Sequence, residues 1–535
     1  MTAGAALFTM LLPVLQPAPH LIADPAGPAQ AAYLIVAAEA FAGGCDALLA
    51  HRRNEGLSVG LVRFSDVCRA SGVPAGPDAL VAFLKHAHDD WGTRFVLLVG
   101  DAVGPADRVI PCCVEPAAYT DPRFLHSPDV AHDWGYATLG GAEPVLRVGR
   151  FPVQTADELA VMIGKTLAYE TTAPAGEWQA RLRFLAGPFG GDPMIDRILE
   201  AQFTKMIAEG LPPAYDLEVA YASPTSPYCP TPPLFHDNAM RMLNEGSLLY
   251  CYVGHGSRTG LDTIRWNGRT YPFLTAGQVG EVAVTAGLPV MAAFACWTAA
   301  LDSPGGDCIA EALMKRPAGP VALIGSTRIC QPYGDVLLGR ALIGTVFAPQ
   351  AATLGEAFTE ALRRVVAPDT SPARQQLDAL AAMVQGAPAL EPIRRDTVRH
   401  YLLLGDPALK LRRPEALAGL TAALEAEGVR VQCPAPAGAE ARVSLQVPVG
   451  ACARPLPAVP AANAPGFAEA MMARYRAAND RTLAAATPAV EDGGINVVLP
   501  LPDERPAGPV LARVLTWHGQ TAAAGATPVA VPGVP

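Results

Sequence analysis

The sequence predicts an α/β protein in which a mostly parallel sheet is flanked by helices on both faces and followed by a small β-sandwich. Apolar runs alternate with amphipathic stretches between about residues 30 and 412, which is typical of parallel strands joined by helices. After Pro414, β-branched runs lie between turns rich in proline, glycine and alanine, and these indicate the sandwich. A length of 535 residues exceeds one ordinary core, so we expect several domains.

The first series of elements supplies four strands and the helices between them. Short apolar runs rich in branched and aromatic residues predict buried strands, and glycine or proline punctuates them. The segment Pro111–Pro144 is rich in proline, aspartate and glycine and predicts a loop. The predicted strands are Tyr33–Val36, Leu57–Phe64, Phe95–Val99 and Val145–Val148, with helices ending near Arg53, beginning at Pro77 and covering Thr155–Tyr169.

A second series repeats the same alternation and carries the α/β region to residue 412. Helices fit between its strands, for example over Met194–Ala208 and Ile309–Met314. The predicted strands are Leu182–Leu185, Leu217–Tyr221, Leu248–Val253, Val290–Ala295, Val321–Ile324 and Tyr401–Leu404.

The C-terminal part predicts a sandwich of about 100 residues, a typical size for such a domain. Its stretch Phe467–Ala485 predicts a helix, and its strands are predicted at Arg442–Val447, Ile495–Leu499, Val510–Trp517 and Val529–Val531. We therefore expect an N-terminal extension over residues 1–30, α/β subdomains over 31–150 and 151–413, and the sandwich over 414–535.

Composition excludes several classes of protein. The net charge is −10 and no basic block occurs, which argues against nucleic acid as the main ligand. The eleven cysteines are sparse, odd in number and without a Cys-x-x-Cys pair, so we expect reduced thiols rather than a disulfide scaffold or structural zinc. The apolar run Ala5–Leu15 is interrupted by Pro13 and lacks a basic flank, so we expect a cytoplasmic protein without a membrane segment, with secretion left open.

The ends of two predicted strands carry the residue types best suited to catalysis. The run Leu248–Val253 leads into Gly254-His255-Gly256, and the run Val290–Ala295 leads into Cys296. The carboxyl ends of parallel strands lie at one edge of a sheet, where open α/β folds place their sites. An imidazole beside a thiol is the minimum equipment for thiol catalysis. The alternative is that the histidine hydrogen-bonds or packs and that the cysteine is simply buried.

Seven segments in order extend this pattern: Phe95–Asp101, Val148–Val153, Asn244–Ser257, Ala293–Cys296, Asp307–Met314, Gly319–Thr327 and Leu404–Leu409. Together they resemble the gingipain-like cysteine peptidases of the caspase-like clan, with a histidine motif in Asn244–Ser257 and a cysteine motif at Ala293–Cys296. The resemblance covers about residues 30 to 412. It implies a caspase-like α/β fold and makes an immunoglobulin-like type plausible for the C-terminal sandwich.

The resemblance implies a role for each matching residue. Cys296 would be the nucleophile, His255 the general acid and base, and the backbone N–H groups of Gly256 and Cys296 the oxyanion donors. The reaction would be peptide hydrolysis through a thioester acyl-enzyme, without a metal in the chemical step. Gly164 and Trp297 stand at positions expected to line the substrate pocket.

Two positions depart from the pattern of the family. Some members orient the imidazole with a glutamate where this chain has Gln154, so Asp129 or Asp133 in the preceding loop is a substitute, or the dyad acts alone. Arginine-specific members hold an aspartate where this chain has Gly164. Without that carboxylate, we expect no strong preference for arginine before the cleaved bond, and an apolar or bulkier residue is preferred instead.

The leading hypothesis is a cysteine endopeptidase acting on protein or peptide substrates, without nucleic-acid or membrane partners. A catalytically silent binding protein on the same fold and a thiol transpeptidase or ligase remain alternatives. Relatives bind calcium structurally, and the acidic loop Asp121–Asp133 leaves a structural calcium ion open. With about 30 residues before the first strand, we expect gating by a regulatory protein partner or by proteolytic nicking rather than by removal of a large pro-domain.

Overall fold

The computed structural model describes residues 30–530 except 72, 122–127, 189–199, 201–203, 205–206, 208, 462–463, 492, 503 and 506–507. The predicted N-terminal extension and most of the predicted helix Met194–Ala208 therefore lie outside the described residues, as does the last residue of the predicted strand Val529–Val531.

Among the described residues of the α/β region, ten strands form one central sheet, and three short antiparallel pairs lie outside it. The ten strands are β1 (Tyr33–Ala37), β2 (Val59–Arg63), β3 (Phe95–Val99), β6 (Arg147–Phe151), β7 (Arg181–Ala186), β8 (Asp216–Tyr221), β9 (Leu249–Val253), β14 (Val290–Phe294), β15 (Ala322–Ser326) and β16 (Tyr401–Leu404). The short pairs are β4 (Cys113–Pro116) with β5 (Asp129–His132), β10 (Gly256–Ser257) with β11 (Gly260–Leu261), and β12 (Thr263–Trp266) with β13 (Arg269–Pro272).

The strand order is β2-β1-β3-β6-β16-β15-β14-β9-β7-β8. Neighbouring strands are parallel except β15 and β16, so the predicted mostly parallel sheet is confirmed. β1, β3 and β14 are buried along their whole length, as strands covered on both faces must be. The sheet runs without interruption across residue 150, and the proposed domain boundaries stay predictions.

Helices cover the two faces of the sheet and bury separate apolar cores. Along β9, for example, Tyr250 and Tyr252 face one core while Leu249 and Cys251 face the other. The helices of the described residues are Asp46–Asn54, Phe64–Ser71, Pro77–Trp91, Trp134–Thr138, Ala156–Thr171, Phe235–Asn244, Ile309–Met314, Pro332–Val346, Leu354–Val366, Pro372–Gln385, Leu390–His400 and Phe467–Asn479.

The two halves of the sheet meet at β6 and β16, where the backbones approach closely. Leu404 pairs with Arg150, and a Cβ atom on Gly149 would collide with the carbonyl oxygen of Gly405 and lie 2.9 Å from Pro407 Cδ. Only glycine fits at position 149 without a shift of the backbone. This contact brings the Gly149–Phe151 and Gly405–Pro407 segments together.

The segment Pro111–Pro144, predicted to be a loop, contains more structure than expected. It holds the hairpin β4–β5 and the short helix Trp134–Thr138. Three of the four residues of β4 are exposed, so this strand lacks the apolar run that would mark it in the sequence.

The described residues of the C-terminal region form two sheets whose side chains share one apolar core, and their strands pair antiparallel except β17 with β24, which are parallel. The five-stranded sheet has the order β17-β24-β23-β20-β21 and the three-stranded sheet the order β18-β19-β22. The strands are β17 (Glu415–Ala416), β18 (Thr421–Glu425), β19 (Gly428–Pro434), β20 (Glu440–Gln446), β21 (Thr482–Ala486), β22 (Gly494–Leu499), β23 (Val510–His518) and β24 (Thr521–Val529). The immunoglobulin-like type of this region stays a prediction.

The helix predicted over Phe467–Ala485 is wrong at its C-terminal end. The helix ends at Asn479, and the alanine-rich run Thr482–Ala486 pairs with β20 instead. Alanine favours helices intrinsically, but here the tertiary pairing of an unfilled sheet edge outweighs that preference.

Candidate active site

Adjacent strands carry His255 and Cys296 to the same edge of the central sheet. β9 and β14 are parallel neighbours, with Val253 opposite Phe294 at their ends. The N–H of Gly254 donates to the carbonyl oxygen of Phe294 at 3.2 Å, which ties the two strand ends together. His255 and Cys296 each follow two residues after these paired positions. The sequence argument from parallel strand ends therefore matches the observed pairing of the strands.

The backbone turns sharply just after Cys296. Trp297 has a φ angle of +62°, a left-handed backbone conformation that residues other than glycine rarely adopt. Its N–H donates to the carbonyl oxygen of Arg328 at 3.1 Å, and the Arg328 guanidinium lies over the indole ring at 5.4 Å. Strain of this kind costs on the order of 1–3 kcal/mol and persists where surrounding contacts enforce it. Trp297 directly follows Cys296 in the sequence, and both residues are half-buried. The Arg328 guanidinium covers the indole ring.

Gly256 packs directly against the backbone of Cys296. A Cβ atom at position 256 would lie 2.7 Å from the carbonyl oxygen of Cys296 and 2.9 Å from the Cβ of Ala295. Any side chain would push the His255 loop away from the thiol. The glycine is thus needed for a close approach of two backbones rather than for a special φ angle.

The Cys296 thiol is half-buried and lies beside a second thiol. Its Sγ is 3.8 Å from the Sγ of Cys330 and 3.8 Å from the Cys330 carbonyl oxygen. The hydrogen bond from Cys330 lowers the pKa of Cys296, and burial opposes this effect without overcoming it. The same contact raises the pKa of the Cys330 thiol well above its usual value, with burial as the second cause. The pair therefore favours a thiolate on Cys296 and a protonated thiol on Cys330.

The backbone of His255 is fixed by the strand that precedes it, while its side chain is exposed. The Tyr252 hydroxyl donates to the His255 carbonyl oxygen at 2.6 Å and accepts from the N–H of Asp262 at 3.2 Å. This relay holds the loop from residue 253 to residue 262 in one arrangement next to the sheet edge.

Asp262 is a site residue that the sequence argument missed. Its Oδ1 accepts from the Thr263 N–H at 2.7 Å, and its Oδ2 is buried without a hydrogen-bond partner among the described residues. Burial raises the pKa of Asp262, while the Thr263 N–H and the charge and N–H of His255 act in the opposite direction. No motif marks this residue, because an aspartate seven positions after the histidine resembles an ordinary turn residue.

Comparison with known proteins identifies the family. The profile of peptidase family C25 matches residues 27–412, which is most of the chain. The chain belongs to peptidase family C25. It is therefore a cysteine-type peptidase, a hydrolase, and the resemblance seen in the sequence is confirmed. No curated protein matches the chain.

Solved structures similar to this C25 chain share its fold. The crystal structure of the Arg-specific cysteine proteinase gingipain R is 18% identical, with a TM-score of 0.51, over 95% of this chain and 100% of its own. The complex of Porphyromonas gingivalis RgpB pro- and mature domains is 18% identical, with a TM-score of 0.52, over 94% and 100%. These likenesses confirm the caspase-like fold class predicted for the α/β region.

Gln154 stands at the position predicted to orient the His255 imidazole in this C25 peptidase, but its side chain hydrogen-bonds to aspartates instead. Its Nε2 donates to Asp101 Oδ2 at 2.6 Å and lies 3.5 Å from Asp307 Oδ1. The amide is thereby turned toward two carboxylates that come from other parts of the chain.

The two alternative orienting residues, Asp133 and Asp129, are bound to arginines. Asp133 receives Arg150 Nε at 2.9 Å and a terminal nitrogen at 2.7 Å, and Asp129 Oδ1 lies 3.2 Å from Arg328. Within the described part of the chain, neither these carboxylates nor Gln154 hydrogen-bonds to the His255 imidazole. Because each carboxylate is already neutralised by a guanidinium, neither favours a calcium ion, and calcium stays a prediction.

Gly164 leaves an open position on the helix Ala156–Thr171. It is exposed, and a Cβ atom there would meet nothing within 4 Å. Its neighbour Lys165 points inward, where its amine donates to the carbonyl oxygens of Met314 at 2.5 Å and Pro320 at 2.8 Å. Gly164 itself therefore offers no charge to a substrate.

One group of side chains in the described residues has the composition of a metal site, far from Cys296 in sequence. It consists of His51, Glu55 and Glu170. Arg52 forms ion pairs with both glutamates, and Lys410 forms one with Glu55. These carboxylates are therefore already paired with positively charged side chains of the protein. Among the described helices, none combines the length and apolarity needed to span a bilayer.

Proposed function

We propose that Cys296 and His255 form the catalytic dyad of this peptidase and hydrolyse peptide bonds through a thioester acyl-enzyme. The observation that carries the proposal is the pairing of β9 with β14, which sets the two residues at one sheet edge with Gly256 against the Cys296 backbone. The lowered pKa of Cys296 supports its role as the nucleophile, since the thiolate is the reactive form.

The reaction follows from these groups in two steps. The Cys296 thiolate attacks the scissile carbonyl carbon, and the developing oxyanion is stabilised by the backbone N–H groups of Gly256 and Cys296. The imidazolium of His255 then protonates the leaving amine, and a thioester remains on Cys296. In the second step, His255 takes a proton from water, the hydroxide attacks the thioester, and the carboxylic acid product leaves with the thiolate restored.

Asp262 replaces the missing glutamate in this proposal. The half-buried carboxylate of Asp262 interacts with the charge of His255 and stabilises the imidazolium that forms during the reaction, a function that the neutral amide of Gln154 lacks. Asp262 contacts neither substrate nor thiol in this account, and it acts as a positioning residue for His255.

Substrate preference follows from the charge around the thiol. The similar gingipain R is described as Arg-specific. In this chain Gly164 provides no carboxylate, while the half-buried Trp297 provides an apolar ring next to Cys296. We therefore expect an apolar or bulkier residue before the cleaved bond, because an unpaired guanidinium would lose its hydration without gaining a partner.

The substrate is a protein or peptide, and a regulatory protein partner is a further part of the proposal. A related structure pairs the pro- and mature domains of RgpB. By analogy, a protein that covers the sheet edge at Cys296 would regulate this chain by blocking the substrate.

Cleavage profiling of a mixed peptide library tests the proposal. Wild type should produce cuts that disappear in Cys296→Ala and persist in Cys68→Ala, a control at another half-buried thiol. Few of these cuts should follow arginine. Identical product patterns in wild type and Cys296→Ala would contradict the assigned nucleophile, and predominant cuts after arginine would contradict the assigned preference.

A further inference from the structure

Two cysteines meet at the proposed catalytic centre, although the peptidase reaction uses only one. All cysteines of the described residues are free, and Cys296 Sγ lies 3.8 Å from Cys330 Sγ. A disulfide bond is about 2.05 Å long, so the two sulfurs must move closer before they can bond. The second thiol has no role in the two-step hydrolysis described above.

The fold fixes Cys330 in this place. β14 and β15 are parallel neighbours, so Cys296 and Cys330, which follow them, lie at the same sheet edge. The N–H of Trp297 donates to the carbonyl oxygen of Arg328, which holds the two post-strand segments together. The proximity of the sulfurs is therefore a property of the sheet and not of a free surface loop.

We propose that Cys330 is the resolving thiol of a reversible oxidation that masks Cys296 as a Cys296–Cys330 disulfide. This inference rests on the proposed function, because it makes the same nucleophile the target of regulation. The oxidant is a hydroperoxide, and the reductant that restores the enzyme is a dithiol.

The chemistry balances in two steps. The Cys296 thiolate attacks one oxygen of the hydroperoxide, the O–O bond breaks, and the departing oxygen takes a proton to leave as water or an alcohol. Cys296 is then a sulfenic acid, oxidised by two electrons. The Cys330 sulfur attacks the Cys296 sulfur, the S–S bond forms, the S–O bond breaks, and the hydroxide combines with the Cys330 proton to leave as water.

The surroundings of Cys330 supply a route for that proton. Asp335 hydrogen-bonds to the Cys330 thiol, and burial raises the pKa of this carboxyl to about 6. The Tyr401 hydroxyl donates to Asp335 Oδ1 at 2.6 Å and holds the carboxyl in place. The hydrogen bond to Cys296 is the largest cause of the high pKa of Cys330, and burial is the second. The Cys330 thiol therefore carries its proton until it attacks Cys296, and the Asp335 carboxyl is the acceptor beside it.

The disulfide would protect as well as silence the enzyme. A sulfenic acid that finds no thiol proceeds to sulfinic and sulfonic acids, which dithiols do not reduce. A resolving thiol within reach diverts the oxidised nucleophile into a form that recovers fully.

The test compares wild type, Cys330→Ser and the control Cys68→Ser after treatment with hydrogen peroxide. Intact mass and peptide mapping should show that wild type and Cys68→Ser lose two hydrogen atoms and contain a peptide linking Cys296 to Cys330. In wild type and Cys68→Ser, dithiothreitol should restore cleavage to the level that each protein shows before oxidation. In Cys330→Ser, Cys296 should gain oxygen atoms instead, and dithiothreitol should not restore its activity.

The mass readout separates this inference from the proposed function. Oxygen added at Cys296 in wild type, with no linked peptide, overturns the resolving role of Cys330. Rescue of Cys330→Ser by dithiothreitol as complete as that of wild type overturns it too. A wild type that forms the linked peptide but shows no Cys296-dependent cleavage when reduced overturns the proposed function and leaves the disulfide chemistry in place.

Discussion

Cys296 lies at the end of a strand with its thiol half-buried, and the next residue has a backbone conformation that few residues other than glycine adopt. The strained Trp297 backbone, the neighbouring Cys330 thiol and the close approach of Gly256 all act on this one residue. Trp297 is the residue next to Cys296, whereas Cys330 and Gly256 are distant from Cys296 in the sequence. The lowered pKa of the thiol therefore depends on a neighbour that the tertiary fold provides.

Removing the Cys330 thiol should change the pH dependence of Cys296 alkylation. The hydrogen bond from Cys330 lowers the pKa of Cys296, so its thiolate persists at lower pH than that of an ordinary thiol. Iodoacetamide labelling of Cys296, followed by peptide mapping, should therefore move to higher pH in Cys330→Ala. An unchanged labelling profile would show that the Cys330 contact does not stabilise the thiolate.

Replacing Asp262 should weaken catalysis without unfolding the chain. Asp262→Asn removes the negative charge near His255, so we expect kcat/KM to fall by about tenfold, or about 1.4 kcal/mol of transition-state stabilisation. The alkaline limb of the rate profile should move to lower pH, because the imidazolium loses a stabilising charge. The exposed Asp237→Asn variant is the control. Equal pH profiles for Asp262→Asn and wild type would remove Asp262 from the site.

At the residue scale, the sequence points to a candidate site residue where local pattern carries the information. His255 and Cys296 are recognisable because each directly follows an apolar strand and is set in a motif. Asp262 and Cys330 are not, because their importance depends on which loops the sheet brings together. The arginines that bind the carboxylates of Asp129 and Asp133 are likewise brought to them by the tertiary fold, so the sequence does not reveal these contacts.

At the level of elements, the site depends on the β9 and β14 strand ends and on the loop that packs across them. The sequence predicts both strands nearly to the residue, because fully buried runs have a strong pattern. The hairpins β10–β11 and β12–β13 between them were not predicted. They are short, and half or more of their residues are only partly buried or exposed, so hydrophobic periodicity does not reveal them.

A methyl group at position 256 should disrupt this packing. Gly256→Ala places a Cβ against the Cys296 carbonyl oxygen, so the His255 loop and its N–H donor must shift. Loss of one oxyanion donor lowers kcat by about 10²–10³-fold, and we expect a loss of this size. Gly280→Ala, where a Cβ meets nothing within 4 Å, is the control. A kcat for Gly256→Ala within about twofold of wild type would contradict the oxyanion role.

At the scale of the whole molecule, one sheet joins the two halves of the peptidase through contacts at β6 and β16. Asp406, just after β16, receives the Tyr33 hydroxyl at 3.0 Å and Arg52 Nε at 3.1 Å. The overall alternation of strands and helices was predictable from the sequence, and the position of β16 between β6 and β15 was not. Strand order depends on chain crossovers that local patterns do not encode.

Breaking the buried pair at Asp406 should destabilise the whole α/β region. Arg52 and Asp406 are both fully buried, so removing one partner with Asp406→Ala should cost about 3–5 kcal/mol of unfolding free energy. Asp406→Asn, which keeps an acceptor, should cost less and remain measurable. In a denaturant titration, the control Glu391→Ala should lose less than about 1 kcal/mol of unfolding free energy, because its ion pair with Arg395 is exposed. Equal costs for Asp406→Ala and Glu391→Ala would contradict a structural role for the buried pair.

The most direct test of the catalytic assignment is the rate at which a peptide acyloxymethyl ketone labels Cys296. The reagent carries an apolar residue next to the ketone, and peptide mapping follows labelling in wild type and His255→Ala. We predict one label per chain at Cys296 in wild type and a rate about 10²–10⁴-fold lower in His255→Ala, the usual contribution of a positioned acid or base. Equal rates in the two proteins, or labelling of another cysteine in wild type, would contradict the Cys296–His255 dyad.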